Sequence, residues 1–211
     1  MTAVQIDVWS DYVCPFCYLA EPPLARVEEE GKGTVQIRWR AFELRPEPEP
    51  TLDPSGDYLR DIWARAVYPM AIERGMNLRL PPVQPRSRLA HEAAAFAADH
   101  GQASAMQHAI FRTFFEVGAD IGQPEVLGRI AGEIGLDPAA LIAALASGQN
   151  RPRVLEDEAL ARSFGLSGVP AIIVRPADAD WRQAVLVEGA QPYQVIRDAV
   201  DLARRSDAGR G

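Results

Sequence analysis

The chain has 211 residues, of which 47% are hydrophobic and 24% charged, and it carries a net charge of −7. That length fits one large domain or a domain hosting a sizeable insertion, and the composition is that of an ordinary globular protein. The acidic excess, with arginines scattered among acids, excludes the basic face of a typical nucleic-acid binder, so no nucleic-acid partner is expected. No stretch approaches the roughly 18–20 apolar residues of a membrane span, and no membrane partner is expected. The start, Met1 to Ser10, has neither the positive flank nor the apolar run of a secretory signal, which predicts a cytoplasmic protein.

Val4-Gln5-Ile6-Asp7-Val8-Trp9 alternates and is β-rich, predicting a strand with Trp9 in the core. A turn, Ser10 to Val13, leads to a helix from about 14 to 30, stopped by Gly31 and Gly33. Pro15 suits the first helical turn, whereas Pro22 and Pro23 should kink or interrupt that helix. Residues 34–42 alternate again and predict a second strand. Residues 43–54 are too rich in proline for regular structure.

From about 55 to 148 the sequence is helical and alanine-rich, with helices predicted at 56–75, 87–100, 102–118, 123–135 and 137–147. A further helix is predicted at 151–165. Strand signals return in Ala171-Ile172-Ile173-Val174 and Ala184 to Glu188, and an amphipathic helix from Gln191 to Arg204 closes the chain. Two early and two late strands around a helical block predict one split α/β domain with an insertion.

The two cysteines, Cys14 and Cys17, enclose Pro15-Phe16. So short a loop is a poor structural staple, because the entropy a disulfide removes from the unfolded chain grows with loop length. Reactive chemistry explains the pair better. A thiol at a helix start faces unpaired N–H groups that favour the thiolate. Cys14 is then the exposed nucleophile and Cys17, one turn inward, resolves the mixed disulfide that Cys14 forms. Half of a zinc site is the competing reading. Zinc takes four ligands, and only His91, His100 and His108 could complete the set. They fall on predicted helices at spacings unlike a finger, so no metal is expected.

Gly168-Val169-Pro170 precedes a buried strand. It reads either as a plain strand-start turn or as a cis proline that exposes the Val169 backbone to an extended substrate beside the thiols. Asp11 is an ordinary helix-start acid in one reading and a proton shuttle in the other. Tyr12, Phe16 and Tyr18 could form an apolar apron for peptide contact.

Ser10-Asp11-Tyr12-Val13-Cys14-Pro15-Phe16-Cys17-Tyr18, the helical block and Gly168-Val169-Pro170 together resemble the DsbA family of thioredoxin-like oxidoreductases. Trp39-Arg40-Ala41-Phe42-Glu43-Leu44, Ser87-Arg88-Leu89-Ala90 and Gly189-Ala190-Gln191-Pro192 resemble its FrnE-like branch more narrowly. The resemblance implies a thioredoxin fold from residues 1–50 and 151–211, with a helical insertion at 51–150 lying over the active site. It also implies a redox-active Cys14–Cys17 pair with cis-Pro170 opposite, and thiol- or disulfide-containing substrates, protein or small molecule. No metal or organic cofactor is implied. The oxidase DsbA carries Pro-His between its cysteines and FrnE-like proteins commonly carry Pro-Trp. Phe16 cannot add a histidine's cationic stabilisation, which predicts a less oxidising pair. The 2-hydroxychromene-2-carboxylate isomerases and kappa-class glutathione transferases share this layout but use a serine near the position of Cys14. They supply the alternative reading, a glutathione-dependent isomerase or transferase, and leave glutathione plausible as a thiol substrate.

Overall fold

A computed structural model describes residues 2–208, with side chains through Ser206; the ends of the ranges 1–50 and 151–211 lie outside the described residues. Four strands, β1 (Val4–Ser10), β2 (Val35–Ala41), β3 (Ala171–Pro176) and β4 (Val185–Glu188), form one sheet in the order β2-β1-β3-β4. β1 runs parallel to β2, with Val4 opposite Val35 and Ser10 opposite Ala41. It runs antiparallel to β3, with Ile6 opposite Val174, and β4 returns antiparallel along β3. The nearly unbroken burial of β1 is that of a central strand covered on both faces, whereas β2 alternates as an edge strand does. The early and late strands therefore share a sheet, as expected, but β2 does not touch the late pair. β1 lies between them.

Between β1 and β2 run α1 (Pro15–Leu19) and α2 (Glu21–Glu30). The helix from 14 to 30 is interrupted at Ala20, as Pro22 and Pro23 required. They occupy the first turn of α2, where a missing N–H forfeits no helical bond. α10 (Tyr193–Ala208) joins α2 on one face of the sheet, where Ile6, Val8, Leu24, Val27, Val174, Ile196 and Val200 make a common core.

α9 (Arg151–Ser163) covers the other face, where Trp9 packs with Ala161, Ala171 and Ile173. A buried ionic network ties it down. Arg40 Nε donates to Asp7 at 2.7 Å and its Nη1 to Asp157 at 2.6 Å, while the Trp9 indole N–H donates to the Asp157 carbonyl at 2.9 Å.

The chain between β2 and α9 is helical, with no strand. α3 (Asp57–Ile62) continues through a π-helical turn, Trp63–Val67, into α4 (Tyr68–Glu73). α5 (Arg88–Asp99) follows, then α6 (Ala103–Arg112), which widens into a second π turn, Thr113–Val117, and stops at Gly118 with φ +82°. α7 (Pro124–Glu133) and α8 (Pro138–Ser147) complete the block, and Asp137 caps α8 by accepting from the Ala139 N–H. Its core includes Trp63, Phe96, Phe111, Phe114 and Phe115, and extends without a break into Tyr12, Cys14, Cys17, Tyr18 and Leu19. The insertion thus packs directly on the cysteine-bearing turn. Arg74 fixes the junction by donating to the carbonyls of Leu19 and Ala190, the latter at 2.7 Å.

Candidate active site

Cys14 occupies the N-cap of α1 in an extended conformation, and Pro15 takes the first helical position. This placement follows from the sequence, since Pro15 fixes φ for a helix start and needs no N–H partner there. The Cys17 N–H donates to the Cys14 carbonyl at 3.1 Å, which brings the two side chains onto one turn. Both thiols are free.

The Val169–Pro170 peptide bond is cis, as is Glu47–Pro48. The Cys14 Sγ lies 3.7 Å from the Val169 carbonyl oxygen. The Gly189 N–H, in a backbone conformation with φ +77° that favours glycine, donates to the Pro170 carbonyl at 2.8 Å and fixes the loop against β4. The Cys14 thiol and the cis Val169–Pro170 bond therefore lie side by side, with Cys17 one turn behind.

The exposed Cys14 expected from the sequence is not what the fold gives. Cys14 is 5% exposed and Cys17 is 0%. Cys14 instead lines a cavity of about 440 Å³ with Phe16, Leu44, Leu52, Leu59, Trp63 and Phe115. The cover comes from the proline-rich segment and α3, and both π turns contribute a ring, with Trp63 and Phe115 centroids 5.9 Å apart. Arg86 straps the segment by donating to the carbonyls of Arg45 and Glu49, each at 2.9 Å. Leu59, Ile62, Trp63, Ser87 and Phe115 of the helical block all line this cavity. Phe16 is half-buried in its wall.

Tyr12 and Tyr18 do not form the expected apron with Phe16, because the helical block buries both. The Tyr12 hydroxyl donates to Gln107 Oε1, and the Tyr18 hydroxyl to Glu116 at 2.7 Å. Burial pushes both phenols well above the ordinary tyrosine range.

Asp11 is fully buried and does not cap α1, which has no side-chain cap. Its carboxylate accepts from the Leu44 N–H at 2.7 Å and the Val13 N–H at 3.4 Å, joining the cysteine turn to the segment that follows β2. His91 Nε2 stands 3.6 Å from Asp11 Oδ1. His91 is a core histidine, while His100 meets the Phe96 carbonyl and His108 meets Glu21, so the three lie in separate settings. Next to Leu44, Glu43 is pushed up to about 7 by burial, against the opposing pull of Arg88, which donates to it.

Burial likewise pushes the Cys17 thiol well up, while the Asp11 N–H, 3.5 Å from its sulfur, and the Ser10 hydroxyl pull the other way. Ser10, His91 and Gln107 had no signal as a group in the sequence. Eighty residues separate the first two, and only the packing of α5 and α6 against the end of β1 unites them.

The sequence matches the DSBA-like thioredoxin domain family over residues 5–201. It is 38% identical over 146 residues to Uncharacterized protein YwbO of Bacillus subtilis (strain 168), covering 67% of this chain and 72% of that one. The fold is similar to that of the probable DsbA oxidoreductase SCO1869 from Streptomyces coelicolor, with a TM-score of 0.78 and 24% identity over 96% of this chain and 90% of that one. It is also similar to the cytosolic disulfide reductase DsbM from Pseudomonas aeruginosa with GSH, with a TM-score of 0.68 and 19% identity over 97% and 98%. The family match spans the sheet, the cysteine turn and the helical block alike, and the chain belongs to the DSBA-like thioredoxin domain family.

Proposed function

We propose that the chain is a thiol–disulfide oxidoreductase in which Cys14 attacks and Cys17 resolves. The observation that carries this reading is the pairing of a cavity-lining thiol at a helix N-cap with a second, sealed thiol one turn behind it. The Cys14 thiolate attacks a substrate disulfide, forming a mixed disulfide and releasing one substrate thiolate. Cys17 then attacks the Cys14 sulfur, closing the Cys14–Cys17 disulfide and releasing the second. The substrate is reduced by two electrons and the pair oxidised by two, and the reverse sequence oxidises a dithiol. Val169 and cis-Pro170 present backbone to an extended substrate segment, and Phe16 packs against its apolar part. Asp11 holds the cysteine turn in place.

The cavity falls in the range of small-molecule sites, about 300–1,000 Å³. That size favours a small disulfide, or a single extended cysteine-bearing segment, over a folded surface. The similar DsbM, a cytosolic protein whose structure contains GSH, supports glutathione as thiol partner and a cytoplasmic setting. Leu44 and Ser87 line the Cys14 cavity and the Gly189 N–H holds the Pro170 carbonyl, which supports the narrower FrnE-like assignment, while the helices between β2 and α9 support a division at about residues 50 and 150.

Reduction of oxidised glutathione and of insulin by the wild-type protein and by Cys14→Ser tests the reading. Loss of activity in Cys14→Ser is expected. Retained activity on glutathione-dependent substrates in Cys14→Ser would favour an isomerase or transferase instead.

A further inference from the structure

Cys17 must lose its proton to resolve a mixed disulfide, yet it is sealed from the Cys14 cavity side and burial disfavours its thiolate. A second cavity, of about 130 Å³, lies on the opposite side of the cysteine turn, between β2 and helices α5, α6 and α9. Three buried side chains in its wall have polar atoms without a hydrogen-bond partner: Ser10 Oγ, Gln107 Nε2 and His91 Nε2, whose nearest acidic oxygen is Asp11 Oδ1 at 3.6 Å. Their residues are 3%, 3% and 5% exposed. Leaving such groups unsatisfied is costly, and a polar cavity of this size holds several waters at about 30 Å³ apiece. The wall runs outward to Arg38 and Ser104, which are exposed, and to half-buried Arg153. Ser10 stands in this wall, and the N–H of the next residue, Asp11, reaches the Cys17 sulfur at 3.5 Å, so the cavity ends one residue from the resolving thiol.

We propose that this cavity is a water inlet, held by Ser10, His91 and Gln107, through which the resolving thiol Cys17 exchanges its proton with solvent. The inference rests on the oxidoreductase reading given above. During resolution the Cys17 proton passes by way of the Ser10 hydroxyl to an inlet water. The Cys17 sulfur then bonds to the Cys14 sulfur as the bond from Cys14 to the substrate sulfur breaks, and the substrate thiolate leaves through the Cys14 cavity. Ser10 relays the proton itself, whereas His91 and Gln107 are positioning residues, since they act on the thiol through water.

The chromogenic disulfide dithiobis(nitrobenzoate) resolves the two steps in one stopped-flow trace. The first coloured thiolate reports attack by Cys14, and the second, at a rate independent of reagent concentration, reports resolution by Cys17. Ser10→Ala removes the hydroxyl, and Ala94→Leu fills the inlet from α5 without touching a polar group. Both should slow the second phase by about a hundredfold, the low end for loss of a positioned proton-transfer group, while sparing the first. Ser10→Thr, which keeps the hydroxyl, should restore it. A second phase unchanged in both variants, or two phases slowed equally, would overturn the inlet. A wild-type first phase that survives in Cys14→Ser would overturn the oxidoreductase reading instead, and the inlet with it.

Discussion

The Cys14 sulfur and the Val169 carbonyl oxygen, 155 residues apart in the chain, stand 3.7 Å from each other. The whole helical block and α9 lie between them in sequence, so the sheet must be assembled before the site exists. β1 carries the cysteine turn at its end and pairs with β3 immediately after Pro170, with Trp9 opposite Ala171. That register fixes the thiol against the loop.

The two thiols should differ in reactivity. Cys17 is fully covered and its thiol is pushed well above the ordinary range by burial, whereas Cys14 borders a cavity. Limiting iodoacetamide followed by mass mapping should mark Cys14 at least about tenfold ahead of Cys17, since the thiolate is the reacting form. Equal labelling would contradict the placement of α1. Because Cys14 is 5% exposed, bulky maleimides should react more slowly than iodoacetamide.

Releasing the cover should speed that labelling. Arg86 holds the proline-rich segment through two carbonyls, and Arg86→Ala removes both bonds. Cys14 alkylation should rise several-fold while the thermal midpoint drops only slightly, because hydrogen bonds of this kind contribute about 0.5–1.5 kcal/mol net. An unchanged alkylation rate would mean that α3 alone sets access.

Glu43 should give stability a distinctive pH dependence. Burial pushes it up to about 7, whereas an unfolded glutamate titrates near 4.3, roughly. Between those values the unfolded chain releases a proton that the fold retains. Stability should therefore fall as pH rises through this window and level off above it. Glu43→Gln has nothing to titrate, so urea midpoints at pH 5 and pH 8 should show the variant gaining on the wild type at the higher pH. A gap that stays constant would place Glu43 in the ionised state throughout, paired with Arg88.

The buried ionic network should be costly to break at one corner. Arg40 is 8% exposed and bonds Asp7 and Asp157 at once. Arg40→Met strands both carboxylates and should destabilise the protein by about 3–5 kcal/mol in urea unfolding. A change below about 1 kcal/mol would mean that Arg175, 3.6 Å from Asp7, already balances the charge.

The strands and the cysteine turn were legible because their signals are local. Period-two alternation marked β1 and β2, Pro15 marked the start of α1, and Gly168-Val169-Pro170 stood just before an apolar run. What escaped depends on contacts across the chain. Cys14 reads as exposed until the segment after Leu44 and the rings of Trp63 and Phe115 are laid over it. The π turns at Trp63–Val67 and Thr113–Val117 add a residue to a helical turn without breaking the apolar pattern, so periodicity passes over them. Asp11 looks like a helix-start acid from its spacing to Cys14, yet its main partner is the Leu44 N–H, 33 residues on.

Equilibrating the protein with a graded series of reduced and oxidised glutathione, and following Cys14 and Cys17 by mass, tests the central assignment most directly. The account predicts a reversible two-electron transition to a Cys14–Cys17 disulfide, with a midpoint between about −270 and −120 mV, the span of thioredoxin-fold dithiols. No intramolecular disulfide at any ratio, with Cys14 and Cys17 remaining free thiols throughout, would contradict it.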